Sequence, residues 1–188
     1  MPFSAVHARV AEVRARIAEA AARGGHGQNV LLIAVTKTHG PGAVHAAWDV
    51  GLRDVGENKV QEALHKQSAV RGEATAMRWH LIGHLQRNKV KHLEQFVLFH
   101  ALDSSRLADA VHAHGQQRGV PVNVLLQVSL AGEGTKGGFA AADVAREAER
   151  LRGMSGVSIG GVVAMAPVGA ADATLRRVLG GAGSARGV

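Results

Sequence analysis

The sequence predicts an α/β fold of parallel strands, of the (β/α)8 TIM-barrel type and incomplete at about six βα units, preceded by an N-terminal helix. Two observations carry this. An apolar run, Leu31-Leu32-Ile33-Ala34-Val35, stops abruptly on Thr36-Lys37-Thr38 before Gly40-Pro41, which is the pattern of a strand buried on both faces. Further apolar runs then recur down the chain, separated by helical stretches of about ten residues. An open doubly wound sheet is the alternative. Against a nucleotide-binding version of it, no Gly-x-Gly-x-x-Gly follows the first strand and no Gly-x-x-x-x-Gly-Lys-Ser/Thr occurs anywhere.

In chain order, Val6, Val10, Val13 and Ile17 recur at spacings of three and four within 3–23, with Ser4 as N-cap and Gly24-Gly25 as the stop, so an amphipathic helix is expected there. The first strand follows over 30–37. Residues 41–50 read as a helix closed by Gly51, with Pro41 in its first turn, where a missing N–H costs nothing. A short strand over 53–56 leads into a helix beginning near Glu57-Asn58-Lys59-Val60. Strands are then predicted over 78–82, 97–102, 122–130 and 157–165. Helices are predicted over 86–95, 104–117 (capped by Ser104) and 141–151, with a Gly-rich loop over 132–138.

Composition bounds the function classes. A chain of 188 residues, 46% hydrophobic, can bury a substantial core. No apolar segment reaches the roughly 20 residues that span a bilayer, and the first 25 residues mix Ala, Val and Ile with Arg, Glu and His, unlike a signal peptide. A cytoplasmic protein without membrane partners is expected. Cysteine is absent, which excludes thiolate chemistry and Cys-ligated zinc; tyrosine is absent too. The net charge of +7 raises nucleic acid as a partner, but the basic residues are scattered and aromatics make up 3% of the chain, too few for stacking platforms. The 11 histidines show no metal-ligand spacing, and His112 and His114, two apart on a helix, point to different faces; no metal site is expected.

Lys37 is the residue through which this pattern suggests chemistry. In a parallel barrel the carboxyl ends of the strands form the functional face. A lysine there is a candidate amine nucleophile, able once unprotonated to form a Schiff base with a carbonyl such as that of pyridoxal phosphate. A solvated strand end-cap is the other reading of the same residue.

Four polar segments at strand ends carry a resemblance. They are Val35-Thr36-Lys37-Thr38 with Pro41; Gly56-Glu57-Asn58-x-x-Gln61-Glu62; Trp79-His80-x-Ile82-Gly83-x-Leu85-Gln86-x-Asn88-Lys89; and Gly134-Thr135-Lys136-x-Gly138-Phe139. In order and spacing they resemble the pyridoxal phosphate homeostasis proteins, of the alanine racemase N-terminal-domain-like group, from about residue 5 to residue 170. The resemblance implies one barrel domain over 1–170 that holds pyridoxal 5'-phosphate as a Schiff base on Lys37, with Asn58 and His80 at motif positions facing the cofactor. It implies a role in intracellular supply of this cofactor, with no catalytic residues. The bland alternatives are a helix N-cap for Asn58 and a buried, hydrogen-bonded imidazole for His80. Gly56 and Gly83 are expected to permit tight turns and close backbone approach.

Racemisation needs a second acid/base on the opposite face of the cofactor, which similar racemases supply as a tyrosine from an extra domain. This chain has no tyrosine, so a carrier is expected over an enzyme, although a histidine could serve as that base. The chain departs from the family after Gly160-Gly161-Val162-Val163-Ala164-Met165-Ala166-Pro167. Two further βα units would need on the order of 50 residues, and the family's Ser-Met-Gly-Met-Ser and Arg-Ile-Gly phosphate-binding segments are not found. Residues 171–188 are expected to be a divergent or truncated tail. Impaired phosphate binding and self-association through an open barrel edge follow as expectations. The competing function is a basic protein that binds RNA or an acidic partner without a cofactor.

Overall fold

The computed structural model describes residues 5–25, 27–129 and 137–165. The tail over 171–188, and Gly134, Thr135 and Lys136 of the fourth motif, lie outside the described residues. The chain divides into two compact units, Met1–Glu57 with Gln61–Trp79 and Asn58–Val60 with His80–Val188.

In the first unit, α1 (Val6–Gly24) carries the predicted stripe and ends where Gly25 takes a φ of 66° and returns its N–H to the Ala21 carbonyl at 3.2 Å. Strand β1 (Ala34–Val35) pairs in parallel with β2 (Asp54–Glu57), Ala34 opposite Val55 and Val35 opposite Gly56. The strand predicted over 30–37 forms only in part. The first strand is two residues long, and Val30, Leu31 and Val35 are 48%, 56% and 52% exposed. The run is not covered on both faces, because α1 buries none of its own residues and leaves a cavity of about 360 Å³ against Leu32, Ala34 and Val35. β2, by contrast, is buried throughout. Helix α2 (Gly42–Asp49) is stopped by Gly51 at φ 77°, and α3 (Val60–Ala69) precedes a 3-10 segment at Gly72–Ala76. Val44, Ala47, Val55, Ala63 and Trp79 form this unit's core.

In the second unit His80 and Leu81, the last two residues of β3 (Arg78–Leu81), pair in parallel with β4 (Leu98–Leu102), His80 opposite Leu98. β4 pairs in parallel with β5 (Val122–Ser129), and β5 with both β6 (Phe139–Ala140) and β7 (Val157–Ala164). Residues 86–95, expected as an α-helix, are a 3-10 helix over Arg87–Gln95. The reason is legible afterwards: Val90 and Leu93 are buried three apart, the spacing that a helix of three residues per turn places on one face. Helix α4 (Ser105–Arg118) starts after Ser104, whose hydroxyl makes no capping bond, and α5 (Val144–Arg152) follows a short 3-10 turn. Gly115 of α4 meets Gly156, just before β7, so closely that a Cβ on either would overlap the other segment's backbone. Leu81, Phe99, Leu102, Leu107, Val111, Leu126 and Leu151 are among the fully buried core residues. Among the described residues no helix is long and apolar enough to cross a membrane.

Candidate functional site

Lys37 leaves β1 in a tight turn. The Thr36 carbonyl accepts the His39 N–H at 3.2 Å, which places Lys37 and Thr38 at the two central positions. Thr38 has a φ of 66° and is the only non-glycine residue with positive φ among the described residues. That combination belongs to a turn whose third position favours Gly or Asn, and a β-branched residue there is strained by about 1–3 kcal/mol. The Lys37 side chain is exposed and makes no hydrogen bond or ion pair with the described residues. The burial of this amine that a strand end within an apolar core would impose is therefore not observed.

Both neighbours of Lys37 are fastened to one buried ionic group. The Thr36 hydroxyl donates to Glu57 Oε1 at 2.5 Å, and the Thr38 N–H donates to Glu62 Oε1 at 2.6 Å. Lys66 joins them, its Nζ donating to Glu57 Oε1 at 2.7 Å, Glu62 Oε1 at 2.8 Å and the Thr36 carbonyl at 2.7 Å. All three ammonium protons are thus used. Glu57 is 0% and Lys66 2% exposed, and Glu57 Oε2 is buried without a hydrogen-bond partner. The sequence reading quoted Glu57 and Glu62 as motif residues but gave them no role, and it missed Lys66. A signal existed: Glu62 and Lys66 stand four apart, acid before base, on a helix.

Asn58 and His80 belong to the second unit. Asn58, partly buried, follows β2, and its backbone lies against Gly83, where an added Cβ would overlap the Asn58 carbonyl oxygen. Gly83 thus permits close backbone approach, as expected. His80, 3% exposed in β3, has Nδ1 3.0 Å from His100 Nε2 in β4, the rings meeting edge to face at 5.1 Å. Burial, and then the charge of His80, push His100 down to about 4, so it is neutral at neutral pH. After β4, Asp103 meets His84 Nδ1 at 2.6 Å, and Gly137 packs close to the same carboxylate. Gly138, at φ 112°, lies against the backbone of Gln127 and Ser129 at the end of β5. Lys37 follows the carboxyl end of β1 and Asn58 that of β2; within the second unit Gly83 and Asp103 follow the ends of β3 and β4, and His80 lies one residue before the end of β3. His100 and Asp103 were not singled out from the sequence, where nothing marks them.

The family model of the alanine racemase N-terminal domain matches residues 9–177. The pyridoxal phosphate homeostasis protein of Pseudomonas aeruginosa is 37% identical over 165 residues, 87% of this chain and 71% of that protein. The chain belongs to this family. Its relative in Aquifex aeolicus is 39% identical over 132 residues, covering 69% of this chain and 57% of that protein. The Escherichia coli K12 member is 33% identical over 159 residues, covering 83% and 68%. The chain thus spans 57 to 71% of the length of these family members. PipY of Synechococcus elongatus, solved without pyridoxal phosphate, superposes with a TM-score of 0.79 at 31% identity, covering 95% of this chain and 79% of PipY. PipY with pyridoxal phosphate bound gives 0.79 at 29% identity, covering 97% and 80%. The alanine racemase of E. faecalis is similar in fold alone, at 16% identity and a TM-score of 0.60, covering 81% of this chain and 44% of the racemase. The α/β fold class of parallel βα units agrees with these relatives.

Proposed function

We propose that this chain binds pyridoxal 5'-phosphate and serves its intracellular homeostasis as a cytoplasmic, non-enzymatic carrier, with Lys37 holding the cofactor as a Schiff base. The observation that carries the reading is the contrast between two lysines of the first unit. Lys66 is buried with every proton committed, whereas Lys37 stands exposed on a turn fixed on both sides. A motif relative, PipY, has been solved with pyridoxal phosphate bound. The residues present fit the aldehyde end of such a group, because an exposed primary amine on an anchored turn is what condensation with a carbonyl requires. When bound, the cofactor supplies an electron sink. This chain's own part is to hold the amine and orient the ring.

Asn58 and His80 are assigned to the cofactor side. In support, the Asn58 backbone is packed against Gly83, and the His80 ring meets the neutral His100. The absence of tyrosine favours the carrier over a racemase, which needs a second acid/base. Self-association through the free edge of β7, which pairs only with β5 among the described residues, is part of the same reading; sedimentation at several concentrations tests it.

The decisive experiment mixes the purified protein with pyridoxal phosphate, records the visible spectrum, reduces with borohydride and maps the labelled peptide. Label on Lys37 is expected. Label on Lys59, Lys89 or Lys136, or spread evenly over many lysines, refutes the assignment.

A further inference from the structure

The Glu57–Lys66–Glu62 cluster lies outside the groups that would touch a cofactor, and the proposed binding makes no use of it. A buried lysine between two carboxylates is weak as a stabilising device, since desolvation offsets much of the attraction. One carboxylate oxygen, Glu57 Oε2, is left buried without a partner, an arrangement that stability alone does not favour. What the cluster does touch is the turn. It takes the Thr36 hydroxyl, the Thr36 carbonyl and the Thr38 N–H, which together bracket Lys37.

We infer that Lys66, with Glu57 and Glu62, is the positioning group for Lys37. The bridge holds Thr38 in the left-handed conformation that a threonine resists, and so fixes the direction in which the Lys37 amine is presented. The inference rests on the proposed role of Lys37 for its chemical consequence. Its structural content, that the bridge sets the turn, stands separately. The bridge works through Glu62 Oε1, which accepts both the Thr38 N–H and a proton of Lys66, and through the Thr36 carbonyl, which accepts both Lys66 and the N–H that closes the turn. Without Lys66 neither acceptor is fixed, and the threonine relaxes toward negative φ.

The test uses Glu57→Gln/Lys66→Met. This pair removes both buried charges together and leaves an acceptor for the Thr36 hydroxyl, because Lys66→Met alone would strand the Glu57 carboxylate and endanger folding. Two readouts are taken on the folded variant. Amide exchange at Thr38 should accelerate up to about tenfold, part of the worth of its bond to Glu62, because that carboxylate stays but is no longer held in place by Lys66. In the labelling reaction the Lys37 amine condenses with the pyridoxal phosphate aldehyde, releasing water, and borohydride delivers hydride to give a stable secondary amine. Its rate at Lys37 should fall about tenfold or more. Adding Thr38→Gly should restore Lys37 labelling toward the native rate, since glycine takes a φ of 66° without penalty. A general loss of structure could not be repaired in this way. Unchanged Thr38 exchange together with unchanged labelling in the folded double variant overturns the inference, as does a triple variant that labels no better than the double. If the native chain shows no preference for Lys37, the proposed function fails instead, and the exchange measurement still decides whether the bridge sets the turn.

Discussion

Replacing Gly83 by alanine should displace Asn58. A Cβ at position 83 would overlap the Asn58 carbonyl oxygen and lie 2.8 Å from its Cα and 3.0 Å from its carbonyl carbon. Carbon atoms in comfortable contact are about 3.5–4.0 Å apart, so the Asn58 backbone must retreat by roughly 0.5–1 Å. The obstacle is main chain, and no rotamer change relieves it. Overpacking of this kind costs roughly 1–3 kcal/mol. Against it stands the reduced entropy of the unfolded chain, worth about 0.4–1 kcal/mol for Gly→Ala and available here because Gly83 is not in the left-handed region. The clash wins, for a net loss of about 1–2 kcal/mol, or roughly 2–8 °C in melting temperature at this chain length. Gly40→Ala is the matched control. Position 40 also lacks a left-handed φ, has nothing within 4 Å of its added Cβ, and should be neutral or slightly stabilised. Thermal melts by circular dichroism of the two variants decide. If Gly83→Ala melts with the native protein, or both variants fall alike, close approach of Asn58 is not what Gly83 provides. With the cofactor role of Asn58 added, Gly83→Ala should also weaken pyridoxal phosphate binding and Gly40→Ala should not.

Stability should fall as pH drops from about 6.5 to about 4, because His100 is held down to about 4 and the unfolded chain takes up its proton first; the full shift would give about 3 kcal/mol at 1.4 kcal/mol per unit. Because His100 is only half-buried and solvent screens it, the loss should be nearer 1–2 kcal/mol, an order-of-magnitude figure of about half the full shift. Urea midpoints across that range should show His100→Gln removing part of the slope, and an unchanged slope would count against the His80–His100 pair as its source. Lys66→Met alone should cost about 3–5 kcal/mol by leaving Glu57 unpaired in the interior, with Glu57→Gln/Lys66→Met closer to the native protein; equal losses in urea titrations would mean the two charges do not depend on each other. Gly115→Ala gains about 1 kcal/mol of helix propensity, yet should still destabilise. Its Cβ drives into the Gly156 backbone, which accepts the Val122 N–H at 3.0 Å and donates to His112 Nδ1 at 3.1 Å. A higher melting temperature for this variant would show that α4 can shift freely.

Much of the candidate site is local in the chain, and that part was legible from the sequence. The alternation of apolar runs with helical periods determined the parallel α/β class, because residue periodicity follows directly from backbone geometry. The order of four strand-end motifs placed Lys37, Asn58 and His80 at or beside the carboxyl ends of their strands. Glycine at 83 announced close approach, since only the missing Cβ lets main chains meet. Tertiary structure decided what depends on partners distant in sequence. Whether Leu31 to Val35 is covered depends on α1, and α1 does not cover it. The 3-10 form of 87–95 was set by which two side chains reached the core. Above all, the sequence pattern cannot show that Lys66 ties Glu57 to Glu62 across the flanks of Lys37, or that His80 faces His100. The contacts of Thr36 with Glu57 and Lys66, and of His80 with His100, join residues 20 to 30 positions apart, and only the folded chain brings them within hydrogen-bond range.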